Sequence, residues 1–173
     1  MKNIVLTGFM GAGKTEVGRV LAQRLGYVLI DVDDEIEKEH RMKIVDIFKE
    51  YGEQVFRDIE SAVIKKLSER EGAVISTGGG AVLSQENMDN LRKKGVIVGL
   101  AASAETIHER TKRNKTRPLL SVEDPLAKIT ELLAFRQPYY NKADVVIDTE
   151  GRSPLEVAEE IIAGMRAYGK SNG

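Results

Sequence analysis

The sequence predicts an α/β fold in which a parallel sheet is covered by helices on both faces. Three observations carry this. Short apolar runs alternate with segments of helical period along nearly the whole chain. The strand segments are almost uniformly apolar, as expected of strands buried on both sides. The first of them ends in a glycine-rich turn that opens directly into a helix.

Residues 4–7 (Ile-Val-Leu-Thr) form the first strand, short, apolar and partly β-branched. Helix 14–25 follows, with Val17, Val20, Leu21 and Leu25 on one face and Gly26 as its stop. Strand 27–30 runs into the acidic cluster Asp31-Val32-Asp33-Asp34-Glu35. Two short helices are expected at 34–40 and 44–51. A longer one spans 53–70, with Phe56, Ile59, Ala62, Val63 and Leu67 as its stripe. Strand 73–76 leads into Thr77-Gly78-Gly79-Gly80. Helix 84–94, strand 96–100 and helix 104–112 come next. Residues 113–124 are basic and then irregular, broken by Pro118. Helix 125–136, strand 145–147 and a last helix opened by Pro154 complete the order. Residues 169–173 read as a frayed end.

The 173 residues fit one domain. A hydrophobic fraction of 42% beside 31% charged residues excludes a disordered chain. Lys plus Arg total 26 against 27 Asp plus Glu, a net charge of −1, which argues against a nucleic-acid binder. With no cysteine, disulfide scaffolds, thiolate metal sites and cysteine nucleophiles are excluded. His40 and His108 lie too far apart for a local metal motif. No apolar run approaches the ~18 residues of a membrane span. Lys2 and the run 4–12 look superficially like an export signal, but Gly8, Gly11 and Gly13 interrupt it and Lys14 ends it. No membrane association and a cytoplasmic location are expected.

Gly8-Phe9-Met10-Gly11-Ala12-Gly13-Lys14-Thr15 matches G-x-x-x-x-G-K-[ST] in the strand-to-helix context the motif requires. Its glycines let successive backbone amides turn toward phosphate oxygens, and the helix N-terminus adds partial positive charge. Lys14 supplies a cation to the β- and γ-phosphates, and the Thr15 hydroxyl can ligate Mg²⁺. Glu16 stands where many such loops carry a second hydroxyl residue, so only its backbone amide can serve a phosphate. The loop announces a nucleoside triphosphate without naming the reaction. A small-molecule kinase, a GTPase-like switch and a motor ATPase compete. Two decoys touch the switch reading: Asn114-Lys115-Thr116-Arg117 carries Arg117 where a guanine-reading loop needs aspartate, and Asp148-Thr149-Glu150-Gly151 comes too late in the chain. The motor reading suffers from short length and neutral charge.

Asp31 and Asp33, two apart at the end of the second strand, would project the same way in an extended chain and open onto the ligand crevice. One can hold Mg²⁺ through water, the other can orient an acceptor hydroxyl and take its proton. Helix capping is the other use of such a cluster, assigned here to Asp34 and Glu35. Arg57 borders the apolar stripe of its helix and can bind a carboxylate bidentately, or form an exposed i,i+3 ion pair with Glu60. The three glycines 78–80 permit close backbone approach to a ligand or make a tight turn. Arg110, Lys112, Arg113, Lys115 and Arg117 suit a lid that closes over phosphates, or a solvated basic loop.

Taken together, Gly8 to Thr15, Asp31-x-Asp33, Phe56-Arg57-x-x-Glu60, Gly78-Gly79-Gly80-Ala81, Arg117-Pro118-Leu119-Leu120 and Arg136-x-x-Tyr139-Tyr140 stand in an order and spacing that resemble the shikimate kinase family. The likeness covers nearly the whole chain. It implies a three-layer α/β/α P-loop kinase fold with a five-stranded parallel sheet of order 2-3-1-4-5, as in nucleoside monophosphate kinases. It implies one kinase domain over residues 1–173, a substrate-binding helical region at about 32–61 and a lid at about 112–124. It also implies transfer of the ATP γ-phosphate to the 3-hydroxyl of shikimate, the fifth step of the chorismate pathway, by a monomer with one Mg²⁺ per subunit and ATP as co-substrate. Family roles then fall on Asp33 as base and hydroxyl ligand, and on Arg57 and Arg136 as carboxylate ligands. Gly79 and Gly80 line the same pocket. Thr15 and Asp31 serve the metal, the latter through water. Gly11, Ala12, Gly13, Lys14, Thr15 and Glu16 form the phosphate loop, and Arg117 is the lid arginine, catalytic with Lys14 and Asp33. Arg110 and Arg152 flank the adenine, which the low aromatic content also suits. Another small-hydroxyl kinase, such as a gluconate kinase, and a non-catalytic nucleotide-binding regulator are the alternatives.

Overall fold

The computed structural model describes residues 2–112, 120 and 122–171. Among these, five strands form one parallel sheet in the order β2-β3-β1-β4-β5. The strands are β1 (Asn3–Gly8), β2 (Val28–Asp31), β3 (Ala73–Ser76), β4 (Gly95–Ala101) and β5 (Val145–Asp148). The helices are α1 (Lys14–Leu25), α2 (Val32–His40), α3 (Ile44–Ser68), α4 (Gln85–Lys94), α5 (Ala104–Thr111), α6 (Pro125–Tyr140) and α7 (Pro154–Ser171). Both the class and the strand order are as expected.

Side chains alternate across the central strands and build two cores. On one face Ile4, Leu6, Val74, Val98 and Leu100 pack with α1 and α7. On the other Val5, Ile75 and Ile97 pack with α2, α3, α4 and α6. The period of two sends neighbouring residues of one strand to opposite cores, which is why these strands carry almost no polar residue. Truncating a fully buried residue such as Leu21 or Ile75 would cost about 2–5 kcal/mol.

Four local departures from expectation have physical causes. The helices expected at 44–51 and 53–70 are the two arms of α3, bent at Gly52, whose backbone is left-handed (φ 84°); Phe48 and Phe56 stack across the bend with centroids 4.5 Å apart. In the second arm Ile64 is buried and Ala62 exposed, so the stripe runs through 56, 60, 63, 64 and 67. Helix α6 continues to Tyr140, four residues past the expected end, because Pro138 interrupts the ladder without breaking the coil. Helix α7 continues through Gly169 to Ser171. The basic run 113–119, with Arg117, lies outside the described residues, as does most of the expected lid.

Candidate active site

The phosphate loop is set by its glycines. At Gly8 the chain leaves β1 with φ 142°, and an added Cβ would stand 2.5 Å from the Leu100 carbonyl oxygen, so no larger residue can make this turn. Gly13 sits left-handed at the head of α1, with no side-chain cap there. Helix amides that would otherwise be capped are left for a ligand. Lys14 reaches back over the loop and donates to the carbonyls of Gly8 (2.8 Å) and Phe9 (3.0 Å). The Glu16 carboxylate turns to the surface and pairs with Arg19 at 2.5 Å, leaving that position to its backbone.

The loop forms one wall of a cavity of about 740 Å³. Gly11, Ala12, Gly13, Lys14, Thr15 and Glu16 line it, and so do Asp31 and Asp33 from across the sheet. The extended-chain argument for the two aspartates does not hold. Asp31 ends β2, but Asp33 already lies in the first turn of α2. Capping is also done by a different residue than expected. Asp31 Oδ1 accepts from the amides of Asp33 (3.0 Å) and Asp34 (3.5 Å), so Asp31, rather than Asp34 or Glu35, caps α2. That cap turns the chain sharply enough to keep both carboxylates on the cavity. Burial, then the charges of Asp31 and Glu60, push the Asp33 carboxyl from 3.8 up to about 6, although Lys14 opposes this.

A second layer of charge lies behind the glycine turn 78–80. Arg57 donates to Glu60 Oε2 at 2.8 Å and to Glu53 at 3.4 Å, and its guanidinium lies against Gly80, where a Cβ would stand 2.6 Å from Nη2. The ion pair expected as an exposed one is half sunk: Glu60 is 1% exposed, and its Oε1 has no partner. Burial pushes the Glu60 carboxyl up while Arg57 pulls it down. Arg136 comes from α6, is buried, lies 5.7 Å from the Phe9 ring centroid, and leaves its Nε unpartnered. Its Nη1 would be 3.5 Å from a Cβ at Gly79. Buried charge without full hydrogen bonding is costly unless a ligand completes it.

At another wall of the cavity, Arg110 from α5 bridges the phosphate loop and the turn after β5. It donates to Gly11 O (3.3 Å), Thr149 Oγ1 (3.1 Å) and Thr149 O (3.0 Å). Arg152 also lines this wall, but its guanidinium is engaged by Asp148 O (3.1 Å), Glu156 O (3.3 Å) and the Glu160 carboxylate (2.5 Å). Glu150 ties the turn to the start of α5 through the Ser103 amide (3.1 Å), the Ser103 hydroxyl (3.0 Å) and the Thr106 hydroxyl.

Thus Gly11 to Glu16, Asp31, Asp33, Gly79, Arg110 and Arg152 meet on one cavity, with Gly80, Arg57 and Arg136 directly behind its glycine wall. Sequence reasoning places Glu60 only in an exposed ion pair and a motif, and Tyr140 only in a motif, and assigns no site role to Thr149 or Glu150. A signal for Glu60 existed: it stands in phase with Phe56, Val63 and Leu67, so its charge lies on the buried side of its helix. For Thr149 and Glu150 no local pattern marks the role.

The shikimate kinase family model matches residues 10–166. A shikimate kinase from Thermodesulfovibrio yellowstonii is 55% identical over 162 residues, covering 94% of each chain. Among solved structures, a shikimate kinase from Acinetobacter baumannii in complex with shikimate superposes with a TM-score of 0.92 at 40% identity, over 97% of this chain and 94% of that one. A gluconokinase from Sinorhizobium meliloti reaches a TM-score of 0.64 at 20% identity, over 98% of this chain and 94% of that one, which speaks for the fold alone. A family model and a relative that both run almost from end to end leave one conclusion: the chain belongs to the shikimate kinase family.

Proposed function

We propose that the protein transfers the γ-phosphate of ATP to the 3-hydroxyl of shikimate, giving 3-phosphoshikimate and ADP. The observation that carries this reading is the placement of Asp33. Its carboxyl lines the same cavity as Lys14 and Thr15 and adjoins Gly78, while Arg57 and Arg136 stand behind the next two glycines. A phosphate cradle, a hydroxyl-binding carboxylate and an arginine pair for a carboxylate are the three parts that phosphorylation of a small hydroxy acid needs.

In the transfer, the acceptor oxygen bonds to the γ-phosphorus while the bond from that phosphorus to the β-bridging oxygen breaks, and ADP leaves with the electron pair. The hydroxyl proton passes to Asp33. A carboxyl raised to about 6 is ionised at neutral pH yet more basic than an ordinary aspartate, which suits it to that proton. Arg57 and Arg136 hold the shikimate carboxylate, and the Gly79 and Gly80 backbone closes the pocket. Lys14 and the amides of Gly11 to Glu16 hold the phosphates, with Arg110 and Arg152 beside the adenine. Arg117 contacts the phosphates from a lid at about 112–124, and the region of about 32–61 binds the acceptor.

The donor set fits magnesium, since Thr15 offers a hydroxyl and Asp31 a carboxylate oxygen beyond the one that caps α2, both hard ligands on the cavity wall. Held there with ATP, one such ion would supply positive charge to neutralise the phosphates. By the same family likeness the enzyme works in the cytoplasm as a monomer, and sedimentation at micromolar concentration tests the oligomeric state.

A coupled ADP-release assay with shikimate, gluconate and quinate decides the main reading. Shikimate-dependent turnover is expected. Turnover with gluconate alone would replace shikimate as the acceptor, and ATP binding without any turnover would make the protein a nucleotide-binding regulator.

A further inference from the structure

One buried contact near the acceptor wall has no part in the chemistry above. Tyr140, at the C-terminal end of α6, is 6% exposed, and its hydroxyl donates to the Gly79 carbonyl at 2.7 Å. Arg136, whose positive charge acts on this buried phenol, stands one turn earlier on α6. Gly79 itself packs against the phosphate loop, where its Cβ position is 3.6 Å from both Gly8 O and Met10 N.

From these contacts we infer that Tyr140 is a positioning residue for the acceptor site, fixing the Gly79–Gly80 peptide against which the Arg136 guanidinium lies. The peptide is planar and trans, so holding the Gly79 carbonyl toward α6 points the Gly80 amide the opposite way, away from the phenol. Three glycines in a row leave that peptide free to rotate, and a turn of this kind needs an external restraint to present one face. The phenol supplies it with a hydroxyl that donates to the carbonyl. Arg136 is buried with an unpartnered Nε, and its Nη1 lies 3.5 Å from the Gly79 Cβ position, so a shift of this peptide reaches the guanidinium. The continuation of α6 past Pro138 is what delivers the phenol: a helix stopped at residue 136 would not place it here.

The inference rests on the acceptor assignment above, so its test separates the two. In the full chain, Tyr140→Phe removes one oxygen and keeps the ring that fills the core. Shikimate KM is expected to rise roughly tenfold, as for loss of one buried hydrogen bond, while kcat and ATP KM stay within about twofold. Calorimetric titration of shikimate into the variant is expected to show the same loss in Kd. Tyr139→Phe, on the half-buried neighbour, is expected to leave all three constants unchanged. Thermal melts of both variants identify any folding defect, and the calorimetric Kd relative to ATP Kd is read on the folded fraction. Wild-type turnover with an unchanged shikimate KM in Tyr140→Phe overturns the positioning role alone. An equal rise in both KM values also overturns it, since that is what general loosening of the core produces. Absence of shikimate turnover in the wild type overturns the acceptor assignment and this inference with it.

Discussion

Asp33 and Glu60 converge on Gly78: a Cβ placed on that glycine would stand 3.1 Å from Asp33 Oδ1 and 3.0 Å from Glu60 Oε1. Two carboxyl groups brought to one backbone position repel, and the repulsion adds to the burial that already raises Asp33. Glu60 is held there by Arg57, which takes its other oxygen. The pair therefore links the base to the arginine proposed to bind the acceptor.

The first prediction is an acid limb in the rate. If Asp33 accepts the proton, kcat/KM for shikimate should fall as pH drops through about 6, the value to which its carboxyl is pushed. Glu60→Gln removes one of the raising charges, so the limb should move to lower pH. Shikimate KM should rise as well, because Arg57 loses its buried anionic partner. A profile flat from pH 8 to 5 would mean that the proton leaves by another route. Asp33→Asn should lower kcat by roughly 10²-fold or more.

Stability should respond to the same group with the opposite benefit. The folded-state value of Asp33 lies above its ordinary one, so the folded protein binds the proton more tightly than the unfolded chain. Any stabilisation from the protonated form is complete below about pH 4 and is lost as pH rises through about 6. Asp33→Asn, a neutral mimic, should therefore raise Tm at pH 8, by at most about 3 kcal/mol of stability, and leave it nearly unchanged at pH 4. An equal Tm difference at both pH values would show that the gain has another source.

Arg136→Ala tests the carboxylate assignment. Removing a charged hydrogen-bond partner costs ~1.5–3 kcal/mol, so shikimate KM should rise roughly 10- to 100-fold, with ATP KM little changed. The contact of Arg136 with Phe9 in the phosphate loop is the route by which ATP could feel the loss. Equal rises in both KM values would remove the assignment.

How much of this could be read from the sequence varies with how local each feature is. The phosphate loop was legible because its geometry depends on Gly8, Gly13 and the strand-helix order around them. The strand order came from resemblance, since pairing between β1, β3 and β4 joins residues some 70 to 90 positions apart in sequence. Asp31 and Asp33 both line the cavity, but a cap at Asp31, not an extended chain, aims them. Glu60 was in view as a motif residue, but its burial depends on the glycine turn packing over α3, which no window of helix sequence contains. Tyr140 was likewise in view as a motif residue, but its contact with Gly79 depends on α6 running past Pro138, which reads locally as a helix end and is not one.

The last prediction concerns the nucleotide wall. Arg110 holds the Thr149 carbonyl and the Gly11 carbonyl together, so the turn after β5 and the phosphate loop are set relative to each other by one side chain. Glu150 anchors that turn from the other side, through Ser103 and Thr106 at the start of α5, the helix that carries Arg110. Those hydrogen bonds hold the Glu150 carboxyl below its ordinary value. Glu150→Ala should free the turn and raise ATP KM several-fold, while shikimate KM, set at the glycine wall, stays near its wild-type value. Ser103→Ala should give a smaller change in the same direction, because the Ser103 amide still donates to Glu150. The check is a pair of steady-state titrations, one for each substrate. A rise confined to shikimate would mean that the turn does not govern nucleotide binding and that Arg110 alone sets the wall.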